Sequence, residues 1–182
     1  MRRGGPRKPR PPLDEEKLSE LMLAYVAKFA TSRAKLGTYL TRKLKERGWA
    51  GAGEPPVEAM VEKAARVGFV DDAAFALGKA RSLTARGYGE RRVGQALHIA
   101  GIGETDAEAA RDYARGDAVE AALHFARRRR FGPFGDDVPL PEAREKALAA
   151  MVRAGHGFRL AKAILELRPG ADVDYQVLDD KR

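Results

Sequence analysis

The side chains that most often do chemistry are sparse in this sequence and form no catalytic motif. Its three histidines, His98, His124 and His156, stand far apart, and none belongs to an HExxH or comparable metal-ligand pair. The 182 residues include no cysteine, which excludes disulfides, cysteine zinc sites and thiol nucleophiles. The serines belong to no recognisable nucleophile motif. The sequence therefore predicts no enzyme, no metal site and no cofactor site.

One acidic pair and two glycine-rich turns could suggest catalysis or nucleotide binding, but a structural role fits each of them better. The pair Asp71-Asp72 directly precedes a predicted helix, and adjacent helical residues point in different directions, so helix capping is favoured over catalysis. The turns at residues 51–53 and 87–89 follow no predicted strand, and neither completes a GxGxxG motif. No nucleotide site is therefore predicted.

The positive charge of the chain, formally +8, is concentrated at its N-terminus. Residues 1–12 hold five basic and no acidic residues, which leaves 29 basic and 26 acidic residues, a net of 29 − 26 = +3, for the rest. A segment so rich in Pro, Gly and Arg is expected to be disordered over residues 1–14, as a solubility tail or as an arm for phosphates and acidic surfaces. It has no apolar stretch behind it, so we expect neither a signal peptide nor a membrane anchor. Together with the lack of cysteine, this favours a cytoplasmic protein.

Apolar residues recur at helical spacing from Leu18 onward, and no run of alternating β-branched residues predicts a strand. The expected fold class is therefore all-α. Helices are predicted at about residues 15–29, 33–47, 57–67, 73–86, 90–100, 105–116, 117–130, 142–154 and 158–168, most of them ending at a glycine.

The predicted helices repeat in groups of three. The glycines that end the second helix of each group are separated by 53 and 54 residues, and apolar residues occupy the positions four and eight before each glycine. These positions are Gly48, Leu44 and Leu40; Gly101, Leu97 and Val93; and Gly155, Met151 and Ala147. This register predicts three tandem three-helix repeats, helix-turn-helix-like, at residues 15–69, 70–116 and 117–170, forming an elongated curved array with a flexible tail at 171–182.

Basic side chains form an outward stripe on the second helix of the first repeat. Leu36, Leu40 and Leu44 mark its buried side, and Lys35, Thr38, Arg42 and Lys45 fall opposite. The stripe suits phosphates or a carboxylate-rich protein groove, and a solvated face is the alternative. The same face is polar and less basic in the second repeat and loses its basic residues in the third.

The four consecutive arginines at 127–130 end a predicted helix, where they favour the helix dipole and also offer a binding patch. From charge alone, the candidate contacts with a partner or with DNA are Lys35, Arg42, Lys45, Arg81, Arg86, Arg91, Arg92, Arg127, Arg128, Arg129 and Arg130.

Several segments together resemble the RecX family of bacterial recombination regulators. They are Leu-Ala-Tyr-Val at 23–26, Ser-Arg-Ala-Lys-Leu at 32–36, Gly-Phe-Val-Asp-Asp-Ala-Ala-Phe-Ala at 68–76, Arg-Gly-Tyr-Gly at 86–89, Leu-His-Ile-Ala-Gly-Ile at 97–102, Gly-Phe at 157–158 and Ala-Ile at 163–164. The resemblance covers roughly residues 18–168. The N-terminal extension, the insertion at 51–56 and the loop at 131–141 depart from the family pattern.

The resemblance implies a curved monomer of three repeats without catalytic activity. Its implied partner is the RecA nucleoprotein filament, whose strand exchange, ATP hydrolysis and coprotease activity it would restrain in DNA repair and the SOS response. It also implies possible direct binding to single- or double-stranded DNA. Family-typical positions with a role in folding are Asp72, Phe75, Ala76, Gly87 and Gly101. The rival hypothesis, a helix-turn-helix array acting on DNA directly, predicts matched recognition faces in all three repeats.

Overall fold

The structure, a computed structural model, describes residues 11–182. The first ten residues of the predicted tail lie outside this range. In the described part the chain forms ten α-helices, one short 3₁₀ turn and no β-sheet, which confirms the all-α prediction. None of these helices combines the length and the apolar character needed to cross a membrane.

The bounds of the helices follow the predicted pattern closely. They are α1 (Glu15–Lys28), α2 (Arg33–Arg47), α3 (Val57–Arg66), α4 (Asp72–Thr84), α5 (Glu90–Ile99), α6 (Glu104–Gly116), α7 (Ala118–Arg129), the 3₁₀ turn (Gly132–Phe134), α8 (Pro141–Arg153), α9 (Phe158–Glu166) and α10 (Tyr175–Asp179). The chain divides into two compact units, with the boundary between Asp72 and Ala73.

In unit 1, side chains satisfy the free N–H groups at the start of α2. The Oγ of Ser32 accepts a hydrogen bond from the backbone N–H of Lys35 at 3.2 Å. The Oδ1 of Asp72 accepts one from the N–H of Arg33 at 2.8 Å, although Asp72 is the first residue of α4. The family-typical Asp72 thus supports the start of a helix 39 residues earlier in the chain.

The core of unit 1 lies between α1, α2 and α3 and also includes Leu13. The N–H of Leu13 donates to the carbonyl of Gly48 at 2.9 Å, and the N–H of Ala50 donates to the carbonyl of Leu13 at 2.8 Å. Leu13 is fully buried, although the tail was expected to extend to residue 14. The other buried apolar side chains of this core are Leu18, Met22, Leu36, Leu40, Met60, Val61, Ala64 and Val70.

Unit 2 contains two groups of buried apolar side chains. The first joins α4, α5 and α6 and consists of Ala76, Ala80, Leu83, Val93, Leu97, Ala107, Ala110 and Ala114. The second joins α7, α8, α9 and α10 and includes Leu123, Phe125, Met151, Leu160, Ile164 and Leu178. Alanine dominates the first group, so its helices can approach one another closely.

The residues aligned by the glycine period share part of their setting. Four positions before the glycine, Leu97 and Met151 are buried but Leu44 is only partly buried. Leu40, Val93 and Ala147 are all buried, and the three glycines have φ values of +82°, +69° and +98°, in the order Gly48, Gly101, Gly155. Such φ values favour glycine because an L side chain is strained there.

The C-terminal segment differs from its prediction as a flexible tail. Residues 175–179 form α10, which begins where Asp174 accepts hydrogen bonds from the N–H groups of Gln176 and Val177. Leu178 is only 2% exposed and packs into the core with α7 and α9. Leu178 is the one buried residue of this short segment, so no apolar periodicity indicated that the segment packs against the core.

Candidate functional site

The basic stripe on α2 faces solvent in unit 1. Lys35, Arg42 and Lys45 are exposed, whereas Leu36 and Leu40 on the opposite side are fully buried. The Nε of Arg42 lies 3.7 Å from a carboxylate oxygen of Glu46 in an exposed ion pair, which contributes at most about 1 kcal/mol. These three residues are called the α2 stripe below.

In unit 2, the turn at residues 86–89 between α4 and α5 lies against α7. Gly87 has a φ of +77°, and a Cβ there would lie 3.0 Å from the backbone N of Phe125 and 3.1 Å from a ring carbon of His124. Gly87 therefore allows both the turn and its close approach to α7.

His156 also contacts this turn. Its Nε2 lies 3.1 Å from the carbonyl oxygen of Gly87, and because that oxygen can only accept, Nε2 must carry the proton. The ring is 2% exposed and lies 5.5 Å from the ring of Phe125, centroid to centroid. Burial lowers the pKa of His156 to about 4, although the hydrogen bond to Gly87 opposes this shift. His156 is therefore a neutral structural residue at pH 7.

Three arginines gather around this turn. The guanidinium carbons of Arg86 and Arg92 lie 5.5 Å and 6.0 Å from the centre of the Tyr88 ring. The Nη1 of Arg128 donates to the carbonyl of Arg86 at 3.0 Å, which joins the end of α7 to the turn. Arg86, Arg92 and Arg128 are called the arginine cluster below.

The arginine cluster has free capacity for an anion. All three side chains are exposed, and within residues 11–182 none of them forms an ion pair with a carboxylate of this chain. A guanidinium presents donors in a planar fork that fits phosphate or carboxylate oxygens in pairs. Tyr88 restrains two of the three, so less side-chain freedom is lost when they bind. The arrangement suits an acidic protein surface or a phosphate backbone.

The four consecutive arginines divide among different contacts. Arg127 lies over the ring of Phe134 at 4.7 Å, and Arg129 lies 5.8 Å from the ring of Phe125. Arg130 ends α7 with a φ of +54° and pairs with Asp136 at 3.3 Å. Among the arginines at 127–130, Arg128 belongs to the arginine cluster because it donates to the carbonyl of Arg86; the structure gives no such contact for the other three.

The two other predicted contact residues of unit 2 lie elsewhere. Arg81 lies 5.6 Å from the ring of Tyr113. Arg91 lines a cleft of about 630 Å³. The cleft holds further basic residues that sequence reasoning missed, because α10 and the start of α9 bring them together: Arg115, Arg159, Lys181 and Arg182.

The remaining family-typical residues have structural surroundings. Ala76 is fully buried in the first core of unit 2, and Phe75 is partly buried on the same helix. Gly101 is exposed and follows the end of α5. In the described part of the chain, no group of three or more His, Cys, Asp or Glu side chains is placed to hold a metal ion.

Acidification is expected to destabilise the protein through His156. The pKa in the folded state is about 4, against 6.5 ordinarily, so the unfolded chain takes up the proton first as the pH falls. The stabilisation is complete above pH 6.5 and is lost as the pH falls through 4; at pH 4.5 the loss is about 2 kcal/mol.

Urea unfolding at pH 7 and pH 4.5 measures this loss. The variant His156→Gln keeps a donor for Gly87 but cannot titrate, so it should lose about 2 kcal/mol less than the parent chain. His98→Gln, at an exposed histidine, should behave like the parent. Equal pH dependence in His156→Gln and the parent would contradict this role.

Similar proteins of known family are all RecX regulatory proteins. The chain is 34% identical over 176 residues to the regulatory protein RecX of Myxococcus xanthus, covering 91% of this chain and 92% of the relative. It is 36% identical over 118 residues to the regulatory protein RecX of Xanthomonas campestris, covering 64% of this chain and 68% of the relative. No family model matches the sequence.

Solved structures show the same fold. The crystal structure of RecX from Lactobacillus salivarius aligns with a TM-score of 0.64 at 18% identity, covering 83% of this chain and 94% of that chain. A second RecX crystal structure aligns with a TM-score of 0.58 at 22% identity, covering 84% of this chain and 70% of that chain. The chain shares this fold and aligns with the Myxococcus xanthus protein over nearly the full length of both chains. It therefore belongs to the RecX family of regulatory proteins.

Proposed function

We propose that this protein binds RecA recombinase filaments and thereby restrains strand exchange, ATP hydrolysis and coprotease activity, as a non-catalytic regulator of DNA repair and the SOS response. Family membership supports the regulatory role. The choice of surface rests on the arginine cluster. There, contacts with Tyr88 and with the carbonyl of Arg86 hold three guanidinium groups that have no carboxylate partner in the described part of the chain. Such a surface suits acidic side chains along a protein groove.

We also propose that α1–α3, α4–α6 and α7–α9 are three tandem repeats and that α10 is an addition to the third. Three separate groups of buried side chains and the shared burial of Leu40, Val93 and Ala147 support this division. A monomer of this kind would meet the filament through several modest contacts. Because the contacts are linked, their combined strength exceeds that of any one of them.

The alternative function is direct action on DNA, because the α2 stripe suits phosphates as well as acidic side chains. The two functions differ in their dependence on salt. Binding to DNA through many phosphates weakens steeply as salt rises. Binding to a protein groove through a few arginine–carboxylate contacts, together with shape and apolar contact, weakens less. Co-sedimentation of the protein with RecA filaments and with bare single-stranded DNA, over a salt series, separates them. We expect filament binding at salt concentrations that abolish DNA binding; identical salt dependence would favour the alternative.

Charge reversal of the α2 stripe is expected to weaken binding to the filament or to DNA while leaving helicity intact. The variant Lys35→Glu, Arg42→Glu, Lys45→Glu replaces attraction by repulsion at exposed positions, so we expect roughly tenfold weaker binding. Lys63→Glu and Arg66→Glu on α3 provide a control at exposed basic residues of the same unit. Unchanged filament and DNA binding in the stripe variant would remove this surface from the account.

A further inference from the structure

The cleft that Arg91 lines in unit 2 has the size of a small-molecule site. Its volume is about 630 Å³, and sites for small ligands commonly measure about 300–1,000 Å³. The starts of α5 and α9, the end of α6 and the segment after α10 contribute to its walls. Five of the side chains in these walls are basic, namely Arg91, Arg115, Arg159, Lys181 and Arg182. This cavity is called the basic cleft below.

Carboxylates neutralise only part of the charge of the basic cleft. Glu90 lines the cleft and lies 3.4 Å from the Nη2 of Arg115. Asp179 also lines it and lies 2.7 Å from the Nε of Arg182. Five basic and two acidic side chains leave a net charge of 5 − 2 = +3 in the walls. A cleft lined by an excess of one charge concentrates the field of that charge, so this cleft attracts anions.

Three cations of the basic cleft, Arg91, Arg159 and Lys181, have no carboxylate side chain as a partner within residues 11–182. All three are exposed. The Nη2 of Arg159 donates to a main-chain oxygen of Arg182 at 3.4 Å, and because a guanidinium has several N–H donors, others remain available. These side chains therefore offer donors for the oxygens of a bound anion.

The main chain adds further donors at the start of α9. Gly157 precedes this helix without a side-chain cap, and the first turn contains no acidic residue. The first N–H groups of a helix carry partial positive charge. A Cβ at Gly157 would have no atom within 4 Å, so the space beside this residue is open. The N–H groups supplement the three side-chain cations.

We propose that the basic cleft binds a small ligand that carries a diphosphate or triphosphate group, as free nucleotides and inorganic pyrophosphate do. Arg91, Arg159 and Lys181 bind the phosphate oxygens. Linked phosphates concentrate several negative charges in a small volume, whereas a nucleic-acid strand carries single charges spaced along its length. Three cations in one cleft match the concentrated charge better. The proposal goes beyond the regulatory function, and this binding requires neither RecA nor DNA.

Isothermal titration calorimetry of the full chain with inorganic pyrophosphate, and separately with ATP, tests the basic cleft. We expect one molecule of either ligand to bind per chain. The variant Arg91→Gln, Arg159→Gln, Lys181→Gln keeps polar side chains at exposed positions and removes three charges. Because charge-assisted hydrogen bonds to phosphate are lost, the dissociation constant for pyrophosphate should rise by about 100-fold.

The matched control is Arg144→Gln, Lys146→Gln, Arg153→Gln, which removes the same charge from exposed positions of α8 in the same unit. These residues lie outside the basic cleft, so the control should bind pyrophosphate as the parent does. Equal losses in the two triple variants would overturn the proposal, because they would mean that net charge alone attracts the anion.

Gly157→Asp separates binding from folding. The φ of Gly157 is −62° and ψ is 141°, values that aspartate adopts readily. Aspartate at this position can cap α9, so the midpoint of urea unfolding should stay the same or rise. Its carboxylate also repels phosphate, so pyrophosphate should bind at least about tenfold more weakly. Unchanged binding in this variant would contradict the site.

Two further measurements identify the ligand. Phe158 lines the basic cleft and is 55% exposed, so its ring is available to a nucleotide base. Weaker ATP binding by Phe158→Leu, with pyrophosphate unaffected, would support a nucleotide; unchanged binding of both would support inorganic pyrophosphate. Failure of the parent to bind either ligand would overturn the proposal. Displacement of ATP by oligothymidine without terminal phosphates, at the same phosphate concentration as pyrophosphate and equally well, would also overturn it and assign the cleft to nucleic acid.

Discussion

Simultaneous charge reversal of the arginine cluster, by Arg86→Glu, Arg92→Glu and Arg128→Glu, is expected to abolish binding to RecA filaments. Among residues 11–182, none of the three guanidinium groups has a carboxylate partner, and contacts with Tyr88 and with the carbonyl of Arg86 hold them at this turn. Reversal replaces charge-assisted hydrogen bonds by repulsion at one surface. Like charges placed together cost several kcal/mol, so the dissociation constant should rise by about 100-fold or more.

The control for this variant is a second triple reversal on α8, at Arg144, Lys146 and Arg153, which changes net charge equally. These residues are exposed and belong to the same unit. Filament affinity, measured by co-sedimentation, should fall far more for the cluster variant than for the α8 variant. Equal losses would mean that net charge alone matters and that the cluster is not a specific contact.

A single methyl group at Gly89 is expected to destabilise unit 2 strongly. A Cβ at Gly89 would lie 2.4 Å from the carbonyl carbon and oxygen of Gly155 and 2.6 Å from the backbone N of His156. These are backbone atoms, which cannot move aside as a side chain can. Gly89→Ala should therefore lower the free energy of unfolding by about 1–3 kcal/mol, and the displaced turn should also weaken filament binding.

Gly94→Ala on the same helix is the matched control. Nothing lies within 4 Å of a Cβ at Gly94, which is inside α5. Alanine there should raise the free energy of unfolding by about 0.5–1 kcal/mol. Urea unfolding followed by circular dichroism measures both variants. Equal stability of the two would show that the turn at 86–89 does not depend on close approach to Gly155.

Local signals account for what could be predicted of the fold. The glycine period predicted the ends of α2, α5 and α8, because the turn after each of these helices needs a residue with a positive φ. Ser32 caps α2, as serine commonly does before a helix. Such signals act within a few residues, so they are readable from sequence. The apolar positions before each glycine were predicted to be buried for the same reason, through helical periodicity.

Contacts between distant segments could not be predicted. Arg128 meets the turn at Arg86 across 42 residues, and His156 reaches Gly87 across 69 residues. Arg86 and Arg128 were predicted as contact residues from their charge. Charge did not indicate that these two lie together or that Arg130 lies apart from them. Tyr39 likewise joins Tyr25 only because α1 packs against α2.

The proposed regulation of RecA through its filament can be tested directly. The most direct measurement is RecA-catalysed ATP hydrolysis on single-stranded DNA, titrated with this protein. We predict strong inhibition at amounts far below one molecule per RecA subunit, because one bound molecule affects a continuous filament. No inhibition at saturating protein, together with tight binding to bare DNA, would contradict the account and favour direct action on DNA.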